Sequence, residues 1–387
     1  MSESNFQSAF SSWKIWLAVL LGLGFAVFML TRSLNETHFV AVNDDSGTHI
    51  WQDKNQNSKV DFSDSKEFIP SQSGLYRQKT SAEYLADIKW TGQALVFLLL
   101  AILFMIGRDL AYMWRIRVLT NQQLTWKKSF YVIMIWEFAS ALAPGVASGS
   151  TVAMFILNKE KIPLGKSTAI VIITTMMDNL FYIVMIPLVF IFIPASDLFP
   201  SETTLDKSIA YVFWTGYSIF LVICLLLFTS IFFYPKLIKN FLSLIFSLPF
   251  LKKWKVKAIQ TGQEIELTSK AFKKESFSFW FKSFSATILS WTSRFLVINY
   301  ILAAFISLNF HNHIFILGKQ FVLWLFMRIS PTPGGSGVAE YAFGELMSDF
   351  SQSAFLITAL AILWRLIAYF PYLLIGAFIL PRWLKRK

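Results

Sequence analysis

Long apolar runs alternate with shorter polar segments along most of the chain. Six runs are uninterrupted and long enough to cross the hydrocarbon core of a bilayer, which takes about 20 helical residues. These runs cover residues 13–31, 90–107, 167–193, 209–233, 279–308 and 355–380. No small-residue cleavage site follows the first run, so we expect a permanent first helix rather than a cleaved signal. The pattern predicts an all-α polytopic membrane protein with about six transmembrane helices.

Two further apolar segments, residues 129–157 and 314–350, contain helix breakers. The first includes A-P-G-V-A-S-G-S at 143–150, and the second includes P-T-P-G-G-S-G at 331–337. Proline lacks the N–H that a helix needs and glycine costs backbone entropy, so neither segment is a regular helix throughout. Broken backbone is tolerated at membrane depth only where protein buries it or where it lines a wet cavity. We therefore interpret both segments as re-entrant helical hairpins.

Basic residues on both sides of the first hairpin predict how the chain crosses the membrane, because positively charged loops stay in the cytoplasm. A segment that begins and ends inside has not crossed, so hairpin 129–157 enters from the cytoplasm and hairpin 314–350 enters from outside. The same parity makes residues 32–89 an extracytoplasmic loop, residues 234–278 a basic cytoplasmic loop, and the C-terminus cytoplasmic. The basic residues used in this argument are Arg108, Arg115, Arg117, Lys127 and Lys128 before the hairpin and Lys159, Lys161 and Lys166 after it.

The composition agrees with a multi-pass protein of the bacterial inner (cytoplasmic) membrane. The chain has 387 residues, 55% of them hydrophobic, and a formal net charge of +12. The positive charge is spread between apolar segments rather than gathered in a soluble domain, which favours membrane lipids over nucleic acid as partners. A single cysteine, Cys224, excludes an intramolecular disulfide framework. A homo-oligomer stays open.

The two loops predicted outside the bilayer carry weaker signals. In residues 32–89, apolar residues on both sides of 45–47 are typical of a β-hairpin. In residues 234–278, lysines alternate with apolar residues, which fits either helices on the anionic inner leaflet or a solvated basic linker.

One stretch of the extracytoplasmic loop resembles a calcium-binding loop of the dockerin or EF-hand type. Oxygen-bearing side chains fall at loop positions 1, 3, 5, 9 and 12, although a serine replaces the glycine of the sharp turn. An ordinary acidic loop with hydrogen-bonded turns explains the same residues. The candidate ligands are Asp53, Asn55, Asn57, Asp61 and Asp64. We expect no other cofactor.

Ionisable residues within the apolar segments are candidates for function, because charges at membrane depth are costly. They are Glu137, Asp178, Arg294, Arg328, Glu340 and Arg365. They could pair as structural salt bridges, but as a set they favour a hydrated polar cavity. Helices that begin after each hairpin tip would direct N–H groups toward the same place, where they bind phosphate or are simply capped. The tip residues proposed for binding are Pro144, Gly145, Ser148, Gly149, Ser150, Pro333, Gly334, Gly335, Ser336 and Gly337.

Several motifs resemble one known family. P-T-P-G-G-S-G-V-A-E at 331–340, T-T-M-M-D-N-L around Asp178 and W-R-L-I-A-Y-F-P-Y-L-L-I-G around Arg365 are similar to the membrane region of lysylphosphatidylglycerol synthases and their flippase-like relatives. The resemblance implies a region that binds and flips lipids, including aminoacylated phosphatidylglycerol, while a separate soluble domain makes the aminoacyl lipid. No such domain follows in this chain, so we expect no lysine transfer. The first hairpin reads S-T-V-A-M at 150–154, where the family often has acidic and arginine residues, which leaves the substrate open.

Three functions are compatible with these observations. The preferred hypothesis is translocation of a polar-headed, anionic lipid or lipid-linked intermediate, without enzymatic activity. Arg294, Arg328 and Arg365 would attract the headgroup, while Glu340 and Asp178 would position the arginines or the hairpin backbone. The alternatives are a membrane enzyme acting on a lipid headgroup and a partner subunit that does not transport. The sequence contains no ATP-binding P-loop motif, so transport would draw on a gradient.

Overall fold

Helices form most of the described chain, as the hydrophobic pattern predicts. In this computed structural model the described residues are 38–42, 46–54, 64–80, 88–142, 146–199, 204–234, 255–330, 332–351 and 353–385, with scattered residues elsewhere. Five helical stretches of the described chain are long and apolar enough to cross a membrane, namely Gly92–Leu119, Leu164–Phe192, Ser208–Phe232, Phe277–Ala303 and Phe355–Leu384. They correspond to the second through sixth predicted spans. The first predicted span, 13–31, lies outside the described residues except for isolated positions.

The helices before the second interrupted segment are α1 Gly92–Leu119, α2 Trp126–Leu142, α3 Val146–Lys159, α4 Leu164–Phe192, α5 Thr204–Phe232, α6 Lys255–Lys273 and α7 Phe277–Ala303. The helices from that segment onward are α8 Phe310–Ile329, α9 Val338–Met347, α10 Ala354–Ala368 and α11 Phe370–Leu384. Short helical turns cover Ser65–Glu67, Ala195–Leu198, Pro333–Gly335 and Ser348–Phe350. Helix α1 packs along α7, and α2 packs on α3 and α11.

Helix α1 continues from the predicted end of its span at 107 to Leu119. Arg108 and Arg115, interpreted above as loop charges, are buried in this helix with 0% and 5% of their surface exposed. That interpretation was wrong, because a count of charges along the sequence does not separate a loop from a helix whose charges are paired across the bundle. Arg117 and Lys127 lie close to the turn between α1 and α2.

Each of the two interrupted segments contains two helices. Helices α2 and α3 have 17 and 14 residues, fewer than the roughly 20 that a crossing takes, and their junction at 143–145 lies outside the described residues. In the second segment, α8 leads through the turn Pro333–Gly335 into the ten-residue helix α9. Gly334, Gly335 and Gly337 have φ angles of 58°, 70° and 87°. These positive φ angles explain why glycines occupy the three positions. The depth and direction at which each hairpin enters the membrane remain predictions.

The last predicted span, 355–380, contains a break. Helix α10 ends at Ala368 and α11 begins at Phe370, with Tyr369 between them at φ −129° and ψ −58°. Pro371 follows in the first turn of α11. A proline inside a helix clashes with the carbonyl four residues earlier, so the helix breaks just before it. The break leaves Tyr369 at a junction between two helices.

Residues 32–89 contain a four-stranded antiparallel sheet that the sequence only partly predicts. Its strands are β1 His38–Ala41, β2 Gly47–Trp51, β3 Phe68–Gly74 and β4 Tyr76–Lys79, in the order β1-β4-β2-β3. Strand β1 pairs with β4 and not with β2, so the hairpin predicted around 45–47 is wrong although both of its strands exist. A turn signal depends on neighbouring residues, whereas here a strand from later in the chain inserts between the two.

Part of the basic loop is a helix packed on the bundle. Helix α6 contacts α4 and α5, and Ile265 and Phe272 are buried. The Glu264 carboxylate accepts a hydrogen bond from the Gly165 amide at 2.7 Å, close to the start of α4. The alternative of a solvated linker is therefore wrong for this part, while 235–254 lies mostly outside the described residues.

Candidate functional site

A polar cavity of about 280 Å³ lies where both interrupted segments meet the other helices. Its wall includes residues of α1, α2, α3, α4, α7, α8, α10 and α11. The residues nominated from the sequence that line it are Glu137, Gly149, Ser150, Asp178, Arg294, Arg328, Gly334, Gly335 and Arg365. The broken backbone of the second segment therefore borders polar space, as irregular structure at membrane depth requires.

An ion pair between Glu340 and Arg365 holds the second break. Arg365 Nε lies 2.9 Å from Glu340 Oε1, and both side chains are 3% exposed. Arg365 Nη2 also donates to the Gly334 carbonyl at 3.1 Å and to the Ser336 hydroxyl at 3.3 Å. The other Glu340 oxygen accepts the Gly337 N–H at 2.7 Å and so caps α9. Of the two alternatives for this helix start, capping applies to the Gly337 amide, because the carboxylate occupies it.

Tyr369 connects the second break to the first segment. Its ring centroid lies 3.7 Å from the Arg365 guanidinium and its ring covers Gly334, where a Cβ atom would overlap it. The Tyr369 hydroxyl donates to the Ala141 carbonyl at 3.1 Å, in the last turn of α2. The sequence analysis missed Tyr369, since a single tyrosine in an aromatic-rich chain carries no signal of its own.

Glu137 bridges two arginines at the cavity wall. Its Oε1 lies 2.5 Å from Arg108 Nη2, and its Oε2 lies 3.5 Å from Arg294 Nη2. Arg108 Nη1 also contacts Asp109 Oδ1 and the Tyr372 hydroxyl, each at 2.8 Å. The Tyr372 hydroxyl in turn donates to Asp109 at 2.9 Å. This network joins α1, α2, α7 and α11.

Asp178 forms a second buried ion pair, with Arg115. The distance from Arg115 Nη1 to Asp178 Oδ1 is 2.5 Å, and the Trp291 indole N–H donates to the same oxygen at 2.9 Å. Arg115 Nη1 also donates to the Thr287 hydroxyl at 3.1 Å. Asp178 is therefore held between α1 and α7, and its partner is Arg115 rather than one of the three arginines that it was expected to position.

Arg108 and Arg115 are charged site residues that the sequence analysis missed. The ring of Tyr112 lies between them, 4.6 Å from the Arg108 guanidinium and 4.7 Å from that of Arg115. The spacing of these three residues, i, i+4 and i+7, places them on one face of a helix. That periodicity is the signal that could have identified them, because the residues of a solvated loop do not need it.

Arg328 differs from the other arginines of the site. Among the described residues, no carboxylate lies within 4.0 Å of its guanidinium. Arg328 Nη1 donates to Asn179 Oδ1 at 3.1 Å, and the guanidinium lies 5.2 Å and 4.7 Å from the ring centroids of Tyr182 and Phe220. Aromatic faces and an amide stabilise a cation without neutralising it.

The site carries an excess of positive charge within the described part of the chain. Four carboxylates, Asp109, Glu137, Asp178 and Glu340, face five arginines, Arg108, Arg115, Arg294, Arg328 and Arg365. When all of them are ionised, one positive charge has no opposing carboxylate, and that charge belongs to Arg328. Arg328 is only partly buried, so its charge is open to a ligand of opposite sign. The arrangement is therefore suited to an anionic ligand.

The remaining nominated residues have smaller or undescribed roles. Gly149 faces the Ser140 side chain of α2 so closely that a Cβ atom would overlap it, which allows α2 and α3 to pack tightly. Pro333 begins the turn at the second break. The nominated residues whose side chains lie outside the described part are Pro144, Gly145 and Ser148.

The calcium loop stays a prediction. Asn55, Asn57 and Asp61 lie outside the described residues. Asp64 caps the turn Ser65–Glu67, because its carboxylate accepts a hydrogen bond from the Lys66 amide at 2.9 Å. In the described ranges, no group of three His, Cys, Asp or Glu side chains is placed to hold a metal ion.

Apolar helices of membrane-spanning length around a cavity lined by three arginines define a multi-pass membrane protein with charged residues between its helices. Comparison with protein families identifies which one. The model of the lysylphosphatidylglycerol synthase TM region matches residues 78–376, and the chain belongs to this family. Membership confirms the resemblance seen in the motifs.

One relative is a UPF0104 membrane protein from Archaeoglobus fulgidus. It is 24% identical over 295 residues, which cover 73% of this chain and 85% of the relative. No solved structure matches the chain.

Proposed function

We propose that this protein moves an anionic, polar-headed lipid or lipid-linked intermediate between the leaflets of the bacterial inner membrane. The observation that carries the proposal is the charge of Arg328, which lines the cavity and which no carboxylate in the described chain offsets. A phosphate offers an anion with several acceptor oxygens in the planar geometry that a guanidinium matches. Arg294, whose contact with Glu137 is the longer of that residue's two at 3.5 Å, is the second donor.

The size of the cavity supports a lipid headgroup as the bound part. Its volume of about 280 Å³ is near the lower end of ligand pockets, which are typically about 300–1,000 Å³. A phosphate with a small headgroup fits this space, whereas two acyl chains do not. The chains would remain in the bilayer, beside helices that expose apolar side chains. Examples are Leu99, Leu103, Val222, Leu225 and Leu226.

The contacts between the two breaks support a coupled movement. Tyr369 touches both segments, so a shift of either one would move part of the cavity wall. Membership of the lysylphosphatidylglycerol synthase TM family adds support for a lipid as the ligand.

The lining carboxylates support binding rather than headgroup chemistry. A general base needs a carboxylate that is free to take a proton. Glu137 and Asp178 are each held by an arginine at 2.5 Å, so neither carboxylate is free to turn toward a headgroup. A non-enzymatic role is therefore the simpler proposal.

Arg328→Gln is expected to slow translocation by roughly tenfold or more, because a hydrogen bond between charged groups contributes about 1.5–3 kcal/mol. The protein is reconstituted in liposomes with a trace of phosphatidylglycerol labelled with a fluorophore on its acyl chain. Bleaching by dithionite then reports movement to the outer leaflet, with and without an imposed pH gradient.

Arg382→Gln is the matched control, since Arg382 is exposed on α11 and does not line the cavity. It should keep the wild-type rate. The proposal is wrong if wild-type liposomes bleach no faster than protein-free liposomes for any anionic headgroup under either condition.

A further inference from the structure

Gln320 is a fully buried side chain of α8 that lines the cavity and has one polar atom without a partner among the described residues. It is 0% exposed, and no described residue hydrogen-bonds its Oε1. Its amide nitrogen donates to Asn299 Oδ1 at 3.3 Å. A buried acceptor that lacks a donor pays the full desolvation penalty, so the unpaired oxygen calls for an explanation.

The orientation of the Gln320 amide follows from its neighbours. Asn299 Nδ2 donates to the His313 carbonyl at 3.3 Å, which leaves the Asn299 oxygen as the atom facing Gln320. An oxygen accepts and cannot donate, so Gln320 must present its NH₂ group to Asn299. The Gln320 oxygen is thereby turned to the other side, where it has no partner among the described residues.

Within the described part of the chain, two other buried polar atoms of cavity-lining residues have neither a hydrogen bond nor an ion pair. They are the Thr174 hydroxyl oxygen on α4 and Arg294 Nε on α7. The Arg294 guanidinium is held between two indole rings, 5.1 Å from the Trp291 centroid and 4.6 Å from that of Trp324. The residues that line this cavity thus carry an N–H donor, an acceptor and a hydroxyl that are buried without partners in the described chain.

We propose that the cavity selects phosphodiesters whose headgroup carries an O–H or N–H donor, with the phosphate on Arg294 and Arg328 and the donor on Gln320 Oε1. This inference rests on the proposed function and narrows its substrate class. A headgroup without a donor leaves Gln320 buried and unpaired in the complex. Sites built to hydrogen-bond a ligand hydroxyl reject analogues that lack it much more strongly than apolar pockets reject a missing methylene.

The test uses two lipids of equal charge and similar size. Phosphatidylglycerol and phosphatidylpropanol carry the same phosphodiester and three-carbon headgroups, but only the first has headgroup hydroxyls. Both are labelled on the acyl chain and assayed in the same proteoliposomes. We expect wild-type protein to move phosphatidylglycerol about tenfold faster than phosphatidylpropanol. Equal rates would overturn the inference, and this comparison needs no variant.

Gln320→Met removes the acceptor while keeping an unbranched side chain of similar length. This variant is expected to translocate phosphatidylglycerol at about the rate of phosphatidylpropanol, so that the tenfold preference disappears. Gln263→Met is the matched control, since Gln263 is exposed on α6, and it should keep the wild-type preference. If Gln320→Met still prefers phosphatidylglycerol, another group of the protein recognises the headgroup hydroxyls.

A binding measurement separates failure of this inference from failure of the proposed function. If wild-type liposomes move neither these two lipids nor any other anionic lipid, translocation is wrong, and the affinities of purified protein for the two lipids in detergent still decide the selectivity. A ratio of about ten in favour of phosphatidylglycerol supports it, and a ratio near one overturns it. Glycerophosphoglycerol, which has the same headgroup without acyl chains, serves as a soluble competitor. If glycerophosphoglycerol competes for the protein as strongly as phosphatidylglycerol does, the acyl chains contribute nothing to binding, and the proposal that the ligand is a lipid is wrong.

Discussion

Arg365→Ala is expected to lower the free energy of unfolding by about 3–5 kcal/mol, the range for breaking a buried ion pair by removing one partner. The substitution strands Glu340, which is 3% exposed, and removes two hydrogen bonds that fix the carbonyl of Gly334 and the hydroxyl of Ser336. The Tyr369 ring also loses the cation on its face. The whole second break should therefore loosen at once.

The measurement is equilibrium unfolding in mixed micelles, followed by circular dichroism. Arg77→Ala is the matched control, because Arg77 pairs with Glu83 at 3.5 Å while their side chains are 45% and 49% exposed. Exposed pairs contribute about 0–1 kcal/mol. If both variants lose the same small amount, Arg365 does not hold the break.

Gly334→Ala is expected to cost about 2–4 kcal/mol, from the left-handed backbone and from overpacking together. Gly334 has a φ angle of 58°, and a Cβ atom there would overlap the Tyr369 ring. The ring cannot simply turn away, because its hydroxyl is bonded to Ala141 and its face is against Arg365. The variant should lose translocation along with stability, since the turn it distorts borders the cavity.

Gly344→Ala is the control for the glycine substitution. Gly344 lies inside α9, and nothing lies within 4 Å of a Cβ atom built on it. An alanine there should stabilise the helix by up to about 1 kcal/mol. Destabilisation by both substitutions to the same degree would mean that the second segment tolerates no change, and that the Tyr369 contact is not the cause.

The charged residues of the site were predictable because their cost is a local property. A carboxylate or guanidinium inside an apolar run needs an explanation whatever the rest of the fold does. On that ground the sequence nominates Glu137, Asp178, Arg294, Arg328 and Arg365, and all of them line the cavity. It also nominates Glu340, which lies behind the wall and holds Arg365.

The pairing of those charges was not predictable, because partners come from distant helices. Arg108 and Arg115 follow an apolar run and precede further basic residues, which is the pattern of a cytoplasmic loop. Only the fold shows that Glu137 and Asp178 lie opposite them. The fold also shows that Arg328, unlike the other arginines of the site, has no carboxylate partner among the described residues. No pattern in the sequence indicates this difference.

The break at Tyr369 and the order of the strands were also not predicted from the sequence. Pro371 is a local reason for the break, but the apolar run around it is long and continuous, so the run was interpreted as one span. The order of the sheet had no local signal at all. Strand β4 pairs with β1 and also contacts β2, and this depends on residues that the sequence separates from the apparent turn.

Electron cryo-microscopy of the protein in nanodiscs with an anionic phospholipid tests most directly whether the arginine-lined cavity holds the phosphate of a lipid. We predict a phosphate within hydrogen-bonding distance, about 3 Å, of the Arg294 and Arg328 guanidinium groups, with its acyl chains extending into the bilayer. A cavity that stays empty at saturating anionic phospholipid, or a lipid whose phosphate lies away from both arginines, would contradict the claim.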